Sequence, residues 1–156
     1  MSFAVKRTLR WGAVVGILLG VTPPVAAEPP PPPPRARAVS PDGRRTAEVR
    51  PRLAGGQRVV VNGRSVWPEV RAPGRPEIVS ALAWSRGSDA VAFLAREPTG
   101  FLFLVVAVAD GTSFQSISWL LPPSEPLRAV TWLGERRVAA GPAALQPRVV
   151  ASFTIK

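Results

Sequence analysis

An all-β fold is predicted by three observations in this chain of 156 residues. Beyond Val39 the apolar runs are short, rich in Val, Phe, Ile and Trp, and separated by Gly, Pro and Asp, which is the pattern of strands joined by turns. The 19 prolines and 13 glycines oppose long helices, because Pro lacks the helix N–H and Gly loses the most backbone entropy. Three segments of the later chain also align with one another at spacings of 45 to 48 residues. No amphipathic helix of useful length is legible, and Ala143-Ala144-Leu145 is hemmed in by Pro142 and Pro147. Apolar residues make up 46% of the chain, enough for one packed core at this length.

The first 27 residues have the layout of a secretory signal peptide. Lys6, Arg7 and Arg10 precede the uncharged run Trp11 to Val21, Pro23-Pro24 breaks it, and Val25-Ala26-Ala27 offers a cleavage site. The run is 11 residues long, whereas a bilayer span takes about 20. Cleavage and general secretion are therefore expected, with a retained anchor as the alternative and no membrane span after cleavage. Residues 28–37 hold Glu28, the six prolines 29–34 and Arg35-Ala36-Arg37. Such a run stands as a stiff polyproline II rod of roughly 20 Å, read here as a linker. Residues 38–156 form the β domain.

Within that domain, Val59-Val60-Val61 meets Asn62-Gly63, a favoured two-residue hairpin turn, and Ser65-Val66-Trp67 returns. Phe101 to Ala109 is the longest apolar run, and Asp110-Gly111 turns it into Thr112 to Trp119. Nine continuous apolar residues fit a strand buried on both faces. The aligned segments are Ala38 to Val49, Leu82 to Leu94 and Val130 to Ala140, with Ser40 and Ser85 45 apart and Trp84 and Trp132 48 apart. Strand-built periods near 45 residues indicate propeller blades.

Ser40-Pro41-Asp42-Gly43-Arg44-Arg45 resembles the Ser-Pro-Asp-Gly turn of TolB-type, WD-like β-propeller repeats, and Phe101 to Gly111 is similar to the strand-then-Asp-Gly ending of such blades. The second copy departs from the turn with Ser85-Arg86-Gly87-Ser88-Asp89, and the third with Leu133-Gly134-Glu135-Arg136. The resemblance implies a partial β-propeller-like array of about three blades over residues 38–154; a small β-sandwich is the rival. Three blades do not close a standard ring of four to eight. An open array is expected to expose apolar faces and strand edges, which are association surfaces.

The absence of Cys, His and Tyr excludes thiol nucleophiles, disulfides, Cys/His zinc sites, Ser-His-acid catalysis and phenolic chemistry. Asp42, Asp89 and Asp110 fall at predicted turns, where Asp bonds nearby backbone, and no spacing pairs carboxylates for acid/base work. No cofactor and no metal site is expected, and the chain is read as non-catalytic. Arg44-Arg45, Arg136-Arg137 and Arg50/Arg52 are candidates for an anionic ligand, with a solvated turn as the plainer reading. Trp67, Trp84, Trp119 and Trp132 are expected to fill the core.

The formal charge is +10, and removal of the three basic residues of the signal leaves 17 basic against 10 acidic, or +7. The excess sits early, with ten Arg against five acids from Glu28 to Glu77. Such a balance favours anionic surfaces, and the export signal makes nucleic acid the poorer reading. The leading expectation is an exported, periplasmic or extracellular, non-catalytic binding or scaffolding protein of the bacterial envelope. TolB-type propellers are periplasmic protein-interaction modules, and the resemblance implies an envelope or extracellular protein partner, or self-association. Its binding residues would be Asp42, Arg44, Arg86 and Arg136, gathered by turns at one end. The alternative is a basic protein held electrostatically on anionic lipid or polysaccharide.

Overall fold

In a computed structural model, residues 37–68, 74–123 and 126–154 are described, and all of them fall within the unit Pro32–Lys156. The expected signal peptide and all but the last residue of the proline linker lie outside the described residues. Every regular element described is a strand, and the strands form three separate antiparallel sheets in chain order. The all-β class follows directly, and a sandwich of only two sheets is not what forms.

The first sheet has the order β1 (Arg37–Val39), β2 (Thr46–Pro51), β3 (Gln57–Val61), β4 (Arg64–Trp67). Asn62 and Gly63 make the β3–β4 turn with φ of 48° and 82°, the left-handed conformation that these two residue types tolerate best. The second sheet contains β5 (Glu77–Ile78), β6 (Ala83–Trp84), β7 (Ala90–Arg96), β8 (Leu102–Asp110) and β9 (Ser113–Leu120). Its path is β5-β7-β8-β9, with β6 also paired to β7. β10 (Ala129–Gly134), β11 (Arg137–Gly141) and β12 (Val149–Ser152) form the third sheet in that order.

Side chains alternate across a strand, and here the alternation divides the interior into two cores. Ala90, Ala92 and Leu94 of β7 and Leu104, Val106 and Val108 of β8 pack with Val138, Ala140 and Ala151 of the third sheet. Val91, Phe93 and Ala95 of β7 and Val105 and Ala107 of β8 pack with Ala47, Val59, Val61 and Val66 of the first. The second sheet is thus the covered middle layer, and the long apolar run of β8 is apolar because both its faces are buried. Trp67 and Trp84 pack against one core, Trp119 and Trp132 against the other, each partly buried.

The two outer faces of this three-layer arrangement are unlike. Opposite its core side the first sheet carries Arg37, Glu48, Arg50 and Arg58, with Glu48 held by Arg50 at 2.7 Å and by Arg37 at 3.7 Å. On the third sheet the segment after Gly141 folds back, where Thr131 Oγ1 donates to the Ala144 carbonyl at 2.7 Å. A Cβ on Gly141 would stand 1.9 Å from the Gln146 carbonyl oxygen, so only glycine fits under that segment. Among the described residues the outer face of the first sheet is thus mainly charged, with Val39 exposed on it, and that of the third is partly covered, with Val150 exposed, so neither is the broad apolar face expected of an open array.

Strand directions sort the connections into two ends. At one, here the turn end, lie the β1–β2, β3–β4, β6–β7, β8–β9 and β10–β11 turns. At the other, the loop end, lie the β2–β3, β7–β8 and β11–β12 connections.

Candidate functional site

The turn end is built on two serines. Ser40 N–H donates to the Arg45 carbonyl at 2.8 Å, and Gly43 N–H donates to the Ser40 carbonyl at 2.9 Å. Ser40 Oγ accepts from Arg45 N–H at 2.9 Å and donates to Asp42 Oδ1 at 2.6 Å. Around Ser85 the same bonds form: Ser85 N–H to the Ala90 carbonyl at 2.8 Å, and Ser88 N–H to the Ser85 carbonyl at 3.0 Å. There Ser85 Oγ accepts from Ala90 N–H at 3.1 Å and donates to Asp89 Oδ1 at 2.8 Å. Ser88 takes the left-handed φ of 62° where the first turn has Gly43 at 72°. The aspartate has moved, from two residues past the serine to four, yet it accepts the same hydrogen bond from the serine hydroxyl. Side-chain reach makes both placements work, and that is why the second turn reads as degenerate in sequence.

Four contacts tie the turn ends of neighbouring sheets, one of them from the Arg64 guanidinium to the Thr112 carbonyl at 2.9 Å. Asp42 N–H donates to Ser88 Oγ at 3.0 Å, and the Arg45 guanidinium donates to the Ser88 carbonyl at 2.5 Å. Arg136, from the β10–β11 turn, pairs with Asp89 at 2.9 Å, and its guanidinium carbon lies 5.7 Å from the Phe153 ring centroid. Deeper between the sheets, Trp84 Nε1 donates to the Ala38 carbonyl at 3.1 Å, and Trp132 Nε1 to the Ala83 carbonyl at 2.9 Å. Each indole thus reaches back to an edge strand of the preceding sheet, β1 for Trp84 and β6 for Trp132.

Both aspartates are held ionised by these bonds. The Ser40 hydroxyl, followed by the Arg44 N–H, holds the Asp42 carboxyl below the usual carboxylate range. Partial burial pushes Asp89 up, but the Ser85 hydroxyl and the charge and hydrogen bond of Arg136 together outweigh it, so this carboxyl is also lowered. Among the described residues no three carboxylates cluster to hold a metal ion.

The four residues expected to bind, Asp42, Arg44, Arg86 and Arg136, all lie on these turns, but they divide into two kinds. Asp42 and Arg136 are spent on contacts within and between turns. Arg44 and Arg86 are exposed, and Arg44 is anchored through its backbone, its N–H on Asp42 Oδ1 at 3.0 Å and its carbonyl on Asn62 Nδ2 at 3.3 Å. Sequence reasoning missed Ser88, Arg45 as an inter-sheet donor, and the indole bonds. Only the 45- and 48-residue spacings of the serines and tryptophans carried a trace of them.

Fold and site together define an all-β chain of three successive antiparallel sheets, tied turn to turn at one end. Comparison with known protein families, curated proteins and solved structures finds no match.

Proposed function

We propose that this protein is a non-catalytic binding or scaffolding module of the bacterial envelope, exported by its N-terminal segment, whose three sheets are blade-like repeats of the TolB or WD type. The supporting observation is the recurrence of one bonding scheme at Ser40 and Ser85, with turns tied in series and the Arg44 and Arg86 guanidinium groups left facing solvent. A rigid end bearing exposed cations on neighbouring turns suits an acidic protein surface, since Arg recognises carboxylates by paired hydrogen bonds.

Site-specific crosslinking in the envelope tests this reading. A photoreactive residue at Gly87 should trap a defined protein partner, and one at Thr99 on the opposite end should not. The double variant Arg44→Glu/Arg86→Glu should cut the Gly87 adduct about tenfold while leaving thermal stability unchanged, because neither guanidinium holds the fold. Equal adducts with and without the two arginines would discard the turn end as the binding surface.

A further inference from the structure

Large apolar side chains left in solvent are unevenly placed. Of the seven exposed among the described residues, four are at the loop end: Leu53, Phe101, Leu120 and Leu145. Leu53 is fully exposed at the tip of the β2–β3 connection, and Leu145 is 93% exposed in the β11–β12 connection. Phe101, 52% exposed, opens β8, and Leu120, 60% exposed, closes β9. The tips therefore come from all three sheets. Leaving such groups in water forgoes their burial free energy, and nothing among the described residues of their own loops buries them.

Exposed cations stand beside these tips. Arg75 packs its side chain against Gly55 in the Leu53 hairpin, and Arg96 ends β7 next to the loop that carries Phe101. Arg128 and Arg148 flank the third sheet, their N–H groups donating to the Gly141 and Ala140 carbonyls at 2.9 and 2.8 Å. Among the described residues the acidic side chains beside them are Glu77, opposite Arg96 in the β5–β7 pairing, and Glu97.

We propose that the loop end docks on an anionic lipid surface, with Leu53, Phe101 and Leu145 entering the interfacial layer and the arginines meeting the head groups. Separate apolar tips are poorly matched to a protein partner, whose interface core is contiguous and desolvated. A bilayer interface accepts isolated apolar groups at modest depth and draws cations to its surface. The inference stands apart from the reading of the turn end, and both surfaces can be occupied at once because they lie at opposite ends of the strands.

The chain has no cysteine, so single Leu53→Cys, Phe101→Cys, Leu145→Cys and Thr112→Cys variants of the full chain each take one environment-sensitive dye. Thr112 is at the turn end, and any contribution of residues 1–27 to vesicle binding is common to all four variants. With vesicles of phosphatidylcholine and phosphatidylglycerol in equal parts, the dyes at 53, 101 and 145 should shift to the blue and be quenched by spin-labelled acyl chains. The dye at 112 should do neither. Vesicles of phosphatidylcholine alone should leave all four unchanged. In the Leu53→Asp/Leu145→Asp background, vesicle affinity read at position 101 should fall about tenfold or more. Tip dyes that behave like the one at 112, an equal response on neutral vesicles, or an unchanged affinity after the aspartate substitutions would each overturn the proposal.

Discussion

Ser85 is fully buried, and its hydroxyl both accepts a hydrogen bond from the Ala90 N–H and donates one to Asp89. Ser85→Ala leaves that backbone N–H without its side-chain acceptor, so a loss of about 1–3 kcal/mol is expected in urea denaturation. A further consequence concerns acid. Because the folded-state values of Asp42 and Asp89 lie below the usual 3.8, their contribution to stability is complete above that value and is lost as pH falls through the lower folded value. Thermal melts should therefore weaken on acidification below about pH 4, and Asp89→Asn should flatten part of that slope. If Asp89→Asn melts with the wild-type slope, Asp89 is not among the groups that set it. The local half of this arrangement was legible: Asp beside Gly in a Ser-Pro-Asp-Gly run bonds its own turn. The Arg45–Ser88 contact was not, because a guanidinium's partner across 43 residues is chosen by how sheets stack.

At the scale of elements, β7 and β8 carry the fold. Phe93 is fully buried, packs edge-on to Trp67 with ring centroids 5.4 Å apart, and belongs to the core shared with the first sheet. Phe93→Ala should cost about 3–5 kcal/mol, read as a drop in the denaturation midpoint. Ser116 and Ser118 on β9 are exposed, and alanine at either should change stability by no more than about 0.5 kcal/mol. The indole bonds make a finer test. Trp84→Phe keeps an aromatic ring but deletes the donor to the Ala38 carbonyl, and a loss of about 1 kcal/mol is expected. Trp132→Phe should behave alike through Ala83. Were either variant as stable as the parent, those bonds would hold nothing between sheets. The burial of β8 on both faces was readable from its uninterrupted apolar run, as was the Asn62-Gly63 hairpin from its residue types.

For the whole molecule, the relevant question is what the outer layers offer to another chain. The first sheet turns Arg37, Glu48, Arg50 and Arg58 outward, and the third is crossed by the segment after Gly141. Among the described residues neither gives the broad apolar patch on which stable self-association rests, so light scattering of residues 28–156 after size exclusion should find a monomer. A defined dimer or ring would restore self-closure of the array as the better account. Gly141→Ala offers the complementary check: the clash with Gln146 should displace the covering segment, raising its susceptibility to limited proteolysis.

Composition and patterning alone determined the all-β class, the hairpin at Asn62-Gly63 and the doubly buried β8. These depend on local conformational preference and on which side chains must leave water, and both act within a few residues. Tertiary structure decided the rest. Stacking of the sheets brought Ser88 to Asp42 and Arg45, Arg136 to Asp89, and the two indoles to their carbonyls. It thereby turned two expected binding residues into ties between sheets and left Arg44 and Arg86 outside. It also gathered exposed leucine and phenylalanine tips from three distant connections at one end. Contacts between residues more than forty apart depend on the packing angle and register of whole sheets, which no short-range pattern encodes.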